Sequence, residues 1–369
     1  MSINHTAKSL TSLKVDNHKQ LVWLVYGKQQ EYIDEAIFSI LSAIYHSEES
    51  RPVLRVITDT PESFQGLPVE LDIINQDTLK TWYGPDNYNH RAKPCSLLSV
   101  LSKAEKTILI DTDTFFKKNP HELFDLIDST TVLVDTIHEK WRESKDNSFH
   151  ESCGDLLEKK YGVTEALRHV NSGLIGISGE NGTRIIKKMI EVIDDMYVMS
   201  GRTFNVEQFA FGVACQNLNI PITKHDATIQ HYWSRKALHR VIIQVWLKKF
   251  AGRYFSEDAI TEFNSLNITP PRPNTFWRLL YKLKALRVKK ELRQFCIEVN
   301  RACHDYNNDY WREAQAGIIQ KTLVNLQKKY PDIYLEISNN PLPKQLKNAL
   351  GATATHALEQ HIISGKKAS

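Results

Sequence analysis

Two aspartates one residue apart, Asp111 and Asp113, follow a short apolar run in the segment KTILIDTDTFF. Like charges this close repel each other, and a bound cation offsets the repulsion. Two carboxylates on a short turn suit a hard ion with oxygen ligands, Mg²⁺ or Mn²⁺. An ion held by so few side chains keeps coordination positions open for phosphate oxygens. The pair therefore predicts a divalent-metal site that binds a diphosphate, and chance occurrence in a loop is the alternative.

The elements that precede the pair alternate between strand and helix. Residues 21–27 (LVWLVYG) are apolar and rich in β-forming residues, residues 53–59 (VLRVITD) and 69–75 (VELDIIN) have a similar character, and apolar residues at helical spacing occur in the intervals. This alternation is typical of an α/β fold with a mostly parallel central sheet. Such sheets bind ligands beyond the carboxyl ends of their strands, and the aspartate pair follows such an end.

The chain beyond the pair continues the pattern. Asn119, Pro120 and Glu122 have the types and spacing of a helix N-terminus, so the aspartates are expected in a short strand-to-helix connection. Residues 131–135 and 172–178 predict further strands. After about residue 236, basic amphipathic helical segments dominate. Three parts are therefore predicted: a polar N-terminal segment (1–20), an α/β domain (21–238) and a helical basic C-terminal region (239–369).

The composition is that of an ordinary globular protein. Of 369 residues, 41% are hydrophobic and 24% charged, and the net charge is +4. The five cysteines include no CxxC pair, which argues against a zinc site or a disulfide framework. The N-terminus lacks the apolar stretch of a secretory signal, and no run reaches the ~20 apolar residues of a spanning helix, so we expect a cytoplasmic protein. No recognition motif supports nucleic acid as a partner.

The C-terminal region contains a strongly basic amphipathic segment. Residues 276–295 (FWRLLYKLKALRVKKELRQF) combine Phe, Trp and Leu with seven basic residues and one acidic residue, and residues 240–255 have a similar character. A helix of this kind lies on anionic membranes, which predicts peripheral contact with the cytoplasmic membrane face. A helix that packs on the α/β domain and leaves its basic face in solvent is the alternative.

Taken together, these segments resemble the GT-A-fold glycosyltransferases, in particular the glycogenin and lipopolysaccharide-galactosyltransferase group. The resemblance covers about residues 21–236 and rests on the segments LVYGKQQEYIDEAIFSIL, RVITDTP, ILIDTDTFF, VNSGLIGIS, NVEQFAFGVAC and HYWSRK. It implies a nucleotide-diphospho-sugar transferase fold and the metal-dependent transfer of a sugar from a nucleotide-sugar donor, with Mn²⁺ or Mg²⁺. We expect the acceptor to be a glycan or a lipid-linked molecule.

The resemblance also implies which residues bind the metal and the nucleotide. Asp113 and His231 would bind the metal directly. Asp111 would bind the metal, the donor ribose or both. Tyr26 and Gly27 would end the first strand near the base.

Further residues would contact the donor sugar or take part in the reaction. The polar side chains implied for the sugar and the diphosphate are Arg91 or Lys93, Asn171 and Gln208. Glu207 stands where the family commonly has Asp beside the reacting sugar. An inverting enzyme also needs a general base near the acceptor hydroxyl, and Glu207 and Asp135 are the candidates.

Two other functions remain open at this level. ILIDTDTF also fits the signature of haloacid-dehalogenase-like phosphohydrolases, in which Asp111 would be the nucleophile and Asp113 the acid/base. A degenerate transferase fold that serves as a sugar-binding or membrane adaptor is the non-catalytic alternative. A dinucleotide oxidoreductase is disfavoured, because KQQ follows Gly27 where a G-x-G-x-x-G motif would continue.

Overall fold

The computed structural model describes residues 10, 13–143, 148–233, 236–268, 271–339 and 341–368. The chain divides into two compact units. The first comprises Met1–Trp233 and Gly252–Thr261, and the second comprises Ser234–Ala251 and Glu262–Ser369. The division after residue 233 lies close to the predicted one after residue 238, while the short return of residues 252–261 to the first unit has no signal in the sequence.

The first unit is built on a central sheet. Its strands are β1 (Lys14–Val25), β2 (Ser50–Thr58), β3 (Glu70–Ile73), β4 (Lys106–Ile110), β6 (Val132–Lys140), β7 (Arg168–Ser178) and β8 (Ile222–Lys224), and β5 (Thr114–Phe116) pairs separately with β9 (Ile229–His231). The order across the seven-stranded sheet is β3-β2-β1-β4-β7-β6-β8. All neighbours are parallel except β7, which runs antiparallel to β4 and β6. The predicted α/β class with a mostly parallel sheet is confirmed.

Helices accompany the sheet in the first unit. They are α1 (Gln30–Tyr45), α2 (Gln76–Tyr83), α3 (Ala92–Val100), α4 (His121–Phe124), α5 (Ser148–Tyr161), α6 (Gly179–Met196) and α7 (Val206–Asn217). The side chain of Asn75 caps α2 by accepting from the backbone N–H of Thr78 at 2.9 Å. The helix predicted after Asn119 is a single turn, and Asn119 Oδ1 accepts from the N–H of His121 at 3.1 Å.

The first strand is longer than predicted. It begins at Lys14, and residues 14–16 pair with Ser50, Arg51 and Pro52 of β2. Part of the segment predicted as a polar N-terminal extension is therefore a strand of the sheet. Backbone hydrogen bonding to β2 makes this extension favourable where the side chains alone are too polar to indicate it.

The interior strands are buried on both faces. Leu21, Val22 and Trp23 of β1 are fully buried, as are Ile108 and Leu109 of β4 to within 1%. Continuous apolar runs are typical of parallel strands with both faces covered. This burial makes the carboxyl ends of β1 and β4 a rigid platform for whatever follows them.

A charged cluster lies where β2 pairs with the edge strand β3. Arg55 of β2 is buried and forms ion pairs with Glu70 and, at 2.8 Å, with Asp72. Lys103 contacts the same Asp72 carboxylate at 2.5 Å. Burial raises the pKa of Asp72, but the hydrogen bonds from Lys103 and Arg55 outweigh burial and lower it.

The order of the strands creates a topological switch point. The chain runs outward from β1 through β2 to β3 and then returns to the other side of β1 to form β4. Connections leave in opposite directions on the two sides of such a point, so a crevice opens between the carboxyl ends of the two strands. Here those ends lead to Tyr26 and Gly27 after β1 and to Asp111 and Asp113 after β4.

The described part of the second unit is helical, which confirms the predicted helical C-terminal region. Its helices are α8 (Lys236–Lys249), the end of α9 (Glu257–Ser265), α10 (Thr275–Ala285), α11 (Arg293–Ala302), α12 (Asp309–Lys329), α13 (Pro331–Asn339), α14 (Lys344–Leu350) and α15 (Ala352–Ala368). The basic segment 276–295 is not one helix, because α10 ends at Ala285 and α11 begins at Arg293. Among the described helices, none combines the length and the apolarity needed to cross a bilayer.

Candidate metal centre

Three predicted metal ligands come together at the switch point. Asp111, Asp113 and His231 each offer one ligand atom, and these atoms lie within 4.8 Å of one another. Ligands at ~2.1 Å from one ion stand at most ~4.2 Å apart, so binding would require a closure of about half an ångström. Within the described residues this is the one such group of three or more acidic, His or Cys side chains.

The turn that carries the two aspartates is held by the backbone around it. The N–H of Asp111 donates to the carbonyl of Gly173 at 2.9 Å, and the Thr114 hydroxyl donates to the carbonyl of Asp111 at 2.8 Å. Strand β5 pairs Thr114 with His231 of β9. This register brings the imidazole beside Asp113, from a point far along the sequence.

Two serines of helix α1 form hydrogen bonds with the strand that follows the aspartate turn. Ser39 Oγ lies 3.3 Å from Thr114 Oγ1, and Ser42 Oγ accepts from the N–H of Phe116 at 2.8 Å. Both serines are fully buried. Because buried hydrogen bonds of this kind are costly to break, the two aspartates sit on a preorganised turn.

A second carboxylate orients the histidine. His231 Nε2 lies 3.4 Å from Asp113 Oδ2, and its Nδ1 lies 2.9 Å from Asp135 Oδ2. The other Asp135 oxygen lies 3.2 Å from His225 Nε2. A carboxylate behind the imidazole is the usual arrangement for a histidine that binds a metal, since it sets the tautomer and the ring orientation.

Neighbouring charges set the protonation states of His231 and Asp135. Burial lowers the pKa of His231, but contact with Asp113 and Asp135 outweighs burial and raises the pKa to about 9. Burial raises the pKa of Asp135, yet its hydrogen bonds with His225 and His231 outweigh burial and hold the pKa well below its usual range. Asp135 is therefore an ionised carboxylate engaged on both oxygens.

A glycine makes room for the imidazole. A Cβ atom on Gly173 of β7 would stand 2.4 Å from both Cε1 and Nδ1 of His231. Real Cβ atoms do not approach other atoms so closely. The His231 ring thus packs directly on the backbone of β7, and position 173 requires glycine for close approach.

Lys93 is inserted among the acidic groups. Its ammonium lies 2.7 Å from Asp111 Oδ1 and 3.8 Å from Glu207 Oε1, and it donates to the carbonyl of Ser172 at 2.5 Å. The Ser172 hydroxyl donates to the other Glu207 oxygen at 3.1 Å. Burial lowers the pKa of Lys93, but Asp111 and Glu207 outweigh burial and raise it, so the ammonium stays charged.

Tyr88 holds these groups in register. Its hydroxyl donates to the carbonyl of Phe204 at 2.5 Å and accepts from the N–H of Glu207 at 3.2 Å. Its ring stacks on Tyr197 with the centroids 4.1 Å apart. The loop that precedes α3 is thereby attached to the first turn of α7, which explains why Lys93 and Glu207 meet.

The described residues of the network carry both signs of charge. Four carboxylates, Asp111, Asp113, Asp135 and Glu207, take part in it together with one lysine, Lys93, and the imidazole of His231, whose pKa is raised to about 9. Glu207 Oε1 is buried and makes no hydrogen bond, and burial raises the pKa of this carboxyl. The Asp111 side chain is 36% exposed, so the network opens to solvent there. A divalent cation fits the donor set of Asp111, Asp113 and His231, and on binding it would replace the proton on the imidazole.

Arg91 lies outside this network. Its guanidinium forms a two-pronged ion pair with Asp194 of α6, at 2.6 and 2.9 Å, and donates to the carbonyl of Trp82 at 3.0 Å. Of the two basic residues predicted to face the donor, the structure brings Lys93 to the cluster and uses Arg91 to join α6 to the loop before α3.

Gln208 and Asn171 also have other neighbours. Gln208 lines a cavity of about 240 Å³ together with His138, Glu139, His169, Val170, Asn205 and Phe209. Consecutive helical residues point ~100° apart, so Glu207 enters the network while Gln208 faces this adjacent cavity. Asn171 Oδ1 accepts from the N–H of Gly173 at 2.8 Å and shapes the strand beneath His231.

Tyr26 and Gly27 lie on the neighbouring strand end. Gly27 has φ +84°, and its N–H donates to Asp59 Oδ1 at 2.9 Å. Gln76 Nε2 donates to the other Asp59 oxygen at 3.2 Å. The Tyr26 ring stands 6.2 Å from that of Tyr83. These groups line the β1 side of the switch point.

Sequence reasoning missed several members of the site. Asp59 directly follows β2, so its place at a strand end was a signal. Ser172 and Gly173 follow Asn171 in the segment NSG, and a glycine inside an apolar strand suggests close approach of another group. His225 carried no signal, because its contact with Asp135 depends on the pairing of β8 with β6.

No protein-family model matches the chain, and no curated protein matches it significantly. The geometry of the site therefore carries the functional argument.

Proposed function

We propose that the first unit is a metal-dependent glycosyltransferase of the GT-A type that moves a sugar from a nucleotide-diphosphate donor to a glycan or lipid-linked acceptor. The observation that carries the proposal is the convergence of Asp111, Asp113 and His231 at the switch point of a mostly parallel sheet. Crevices at this position bind nucleotides in α/β proteins, and the donor set suits Mn²⁺ or Mg²⁺.

The first group of residues in the proposal holds and positions the metal ion. Asp113, His231 and Asp111 would hold the ion, with Asp111 at the solvent-facing side. When bound, the ion supplies positive charge that stabilises the diphosphate as it leaves. Asp135 is a positioning residue that orients His231, and its engagement on both oxygens makes it a poor general base.

Lys93 supplies a second positive charge beside the proposed ion. Glu207 and Ser172 hold the Lys93 ammonium beside Asp111. A fixed ammonium in a partly dry site is suited to contact the diphosphate once Asp111 turns to the ion. The β1 edge with Tyr26 and Gly27 would receive the base and the ribose.

Donor binding and its dependence on metal test the proposal. The full chain is screened by thermal shift and calorimetry against nucleotide-diphosphate sugars, with and without Mn²⁺. We expect a donor-induced shift that requires the metal in the wild type and in Asp155→Asn, a control on the exposed face of α5. The shift should disappear in Asp113→Asn. No Mn²⁺ binding by the wild type would mean that the cluster is a structural ion-pair network.

Turnover assays on the same protein samples distinguish the transferase from the two alternative functions. Release of nucleoside diphosphate in the presence of acceptor supports a transferase, and donor binding with no turnover supports a non-catalytic adaptor. Hydrolysis of a generic phosphoester, lost in Asp111→Asn, would support the dehalogenase-like alternative. Another pair of adjacent aspartates, Asp194 and Asp195 of α6, does not join the cluster, since Asp194 pairs with Arg91 and Asp195 with Lys160.

A further inference from the structure

Helix α10 of the second unit exposes an apolar stripe. Phe276, Leu279, Leu283 and Leu286 are 67%, 57%, 53% and 59% exposed. Their spacing of three, four and three residues places them on one side of the helix and its last turn. We call these four residues the α10 stripe.

The opposite side of the same helix is already buried. Tyr281 and Ala285 are 6% and 1% exposed. Each stands two positions after Leu279 or Leu283, which is ~200° around the helix. The helix therefore packs on its own unit through one apolar face and presents a second apolar face to solvent. Core packing of the second unit does not account for the α10 stripe.

Basic side chains surround the stripe. Residues 276–293 contain seven basic residues and one acidic residue, Glu291. Arg278, Lys282 and Arg287 are exposed, and none of the three forms an ion pair with any described residue. The surface thus joins a row of large apolar side chains to a positive charge that is not neutralised within the described chain.

The other basic segment found in the sequence behaves differently. In α8, Ile242, Ile243, Trp246 and Leu247 are buried, and no apolar residue of that helix is exposed. Two segments of similar composition therefore differ in structure: α8 uses its apolar residues for packing, and α10 keeps four of them outside.

We propose that the α10 stripe docks on an anionic phospholipid bilayer. A contiguous exposed apolar row flanked by basic residues is the pattern of helices that lie in the membrane interface, with the apolar side among the acyl chains and the basic groups at the phosphates. Phe276 and the partly exposed Trp277 stand at one end of the row, and aromatic side chains favour the interfacial region.

The basic residues around the α10 stripe favour an anionic bilayer over a second copy of the chain as its binding partner. A symmetric dimer through the stripe would bring the same basic side chains of both copies together, and like charges across an interface are unfavourable. An anionic lipid surface neutralises those charges. The proposal does not depend on donor binding or metal at the first unit.

Vesicle flotation of the full chain, without metal or nucleotide, tests the docking. We expect the wild type to float with phosphatidylcholine vesicles that contain 30% phosphatidylglycerol and to remain behind with pure phosphatidylcholine. Leu279→Gln with Leu283→Gln should reduce the bound fraction more than tenfold. Lys282→Gln should reduce the affinity about fivefold, as expected for the loss of one basic residue near the surface.

Controls separate docking from misfolding. Ile73→Gln replaces an apolar side chain that is 70% exposed on β3 in the first unit, and it should bind vesicles like the wild type. The stripe variants should keep the wild-type melting temperature, because the replaced side chains are exposed. Equal binding to both vesicle types, no binding, or stripe variants that bind normally would overturn the proposal. So would a stable dimer in light scattering that dissociates on Leu279→Gln.

Discussion

Replacing Gly173 with alanine tests how the metal centre is built. The new Cβ would stand 2.4 Å from two atoms of the His231 ring, whereas ordinary contact begins at 3.4 Å. The ring or strand β7 must therefore shift by about 1 Å, the difference between these two distances. No flexible side-chain end absorbs the contact, since the ring is held by Asp135 at 2.9 Å.

The size of this shift sets the expected effect. Metal ligands tolerate displacements of about 0.2 Å, so a shift of about 1 Å takes His231 out of the coordination sphere or breaks its contact with Asp135. Disturbing such an orienting contact weakens metal binding about 10–100-fold. Overpacking costs about 1–3 kcal/mol of folding free energy. We expect Gly173→Ala to remain folded and to bind Mn²⁺ at least tenfold more weakly.

Calorimetric titration with Mn²⁺ and thermal unfolding of the same samples measure both effects. Gly176→Ala is the matched control, because it lies on the same strand and its Cβ would meet Ile127 Cδ1 at 2.6 Å, away from His231. It should lose stability and keep metal affinity. Gly154→Ala, whose Cβ meets nothing nearer than 3.8 Å within α5, should gain about 0.5–1 kcal/mol and bind metal normally.

Two outcomes would refute this reasoning. If Gly173→Ala binds Mn²⁺ as tightly as the wild type, His231 is not a ligand. If Gly176→Ala loses metal affinity to the same extent, strain anywhere in β7 is sufficient and the close approach of the imidazole has no special role.

Three further predictions concern charge and ligand. Lys93→Met should reduce the free energy of unfolding by about 3–5 kcal/mol, because it leaves the buried Glu207 carboxylate without its cation. It should also raise Mn²⁺ affinity, because it removes a positive charge that competes with the ion for Asp111. Urea unfolding and calorimetry measure the two effects. Asp72→Asn should cost about 1 kcal/mol at pH 7. Since folding lowers the pKa of Asp72, this contribution is present above the unfolded pKa of about 3.9 and is lost as pH falls through the lower folded pKa, so melting curves of the two proteins should converge in acid. Mn²⁺ at one hundred times its dissociation constant should stabilise the wild type by about 2.7 kcal/mol and leave Asp113→Asn unchanged.

Each of these has an outcome that contradicts it. Unchanged or weaker Mn²⁺ binding in Lys93→Met would show that the ammonium supports the site and does not compete with the ion. A constant difference between Asp72→Asn and the wild type down to acid pH would mean that the Asp72 carboxylate is not stabilised by its basic neighbours. Equal stabilisation of Asp113→Asn by Mn²⁺ would place the ion elsewhere.

Local patterns identified the architecture because they report local structure. Apolar runs and helical spacing before Asp111 predict strands and helices in turn, and the strand–helix alternation predicts the parallel sheet. The position of the aspartate pair after an apolar run predicts its place at a strand end. The basic segment 276–295 predicts amphipathic helix, although its division between α10 and α11 had no visible signal.

The choice between neighbouring residues required the rotation of each element. Arg91 and Lys93 are two positions apart, and the structure sends one to Asp194 and the other to Asp111. Only packing sets that rotation, here through the attachment of Tyr88 to α7. The exposure of the α10 stripe is likewise a tertiary property, since the sequence shows apolar residues without showing which face of the helix is covered.

The sequence by itself determined the fold class and the position of the aspartate pair, because both depend on residues close together in the chain. The tertiary structure alone decided that His231 and Asp135, 96 positions apart, meet at 2.9 Å beside Asp113. It also decided that Lys93 neutralises Asp111. The contact between His231 and Asp135 depends on the register of β5 with β9 and on the pairing of β6 with its neighbours, and strand register joins segments whose separation along the chain carries no periodic signal.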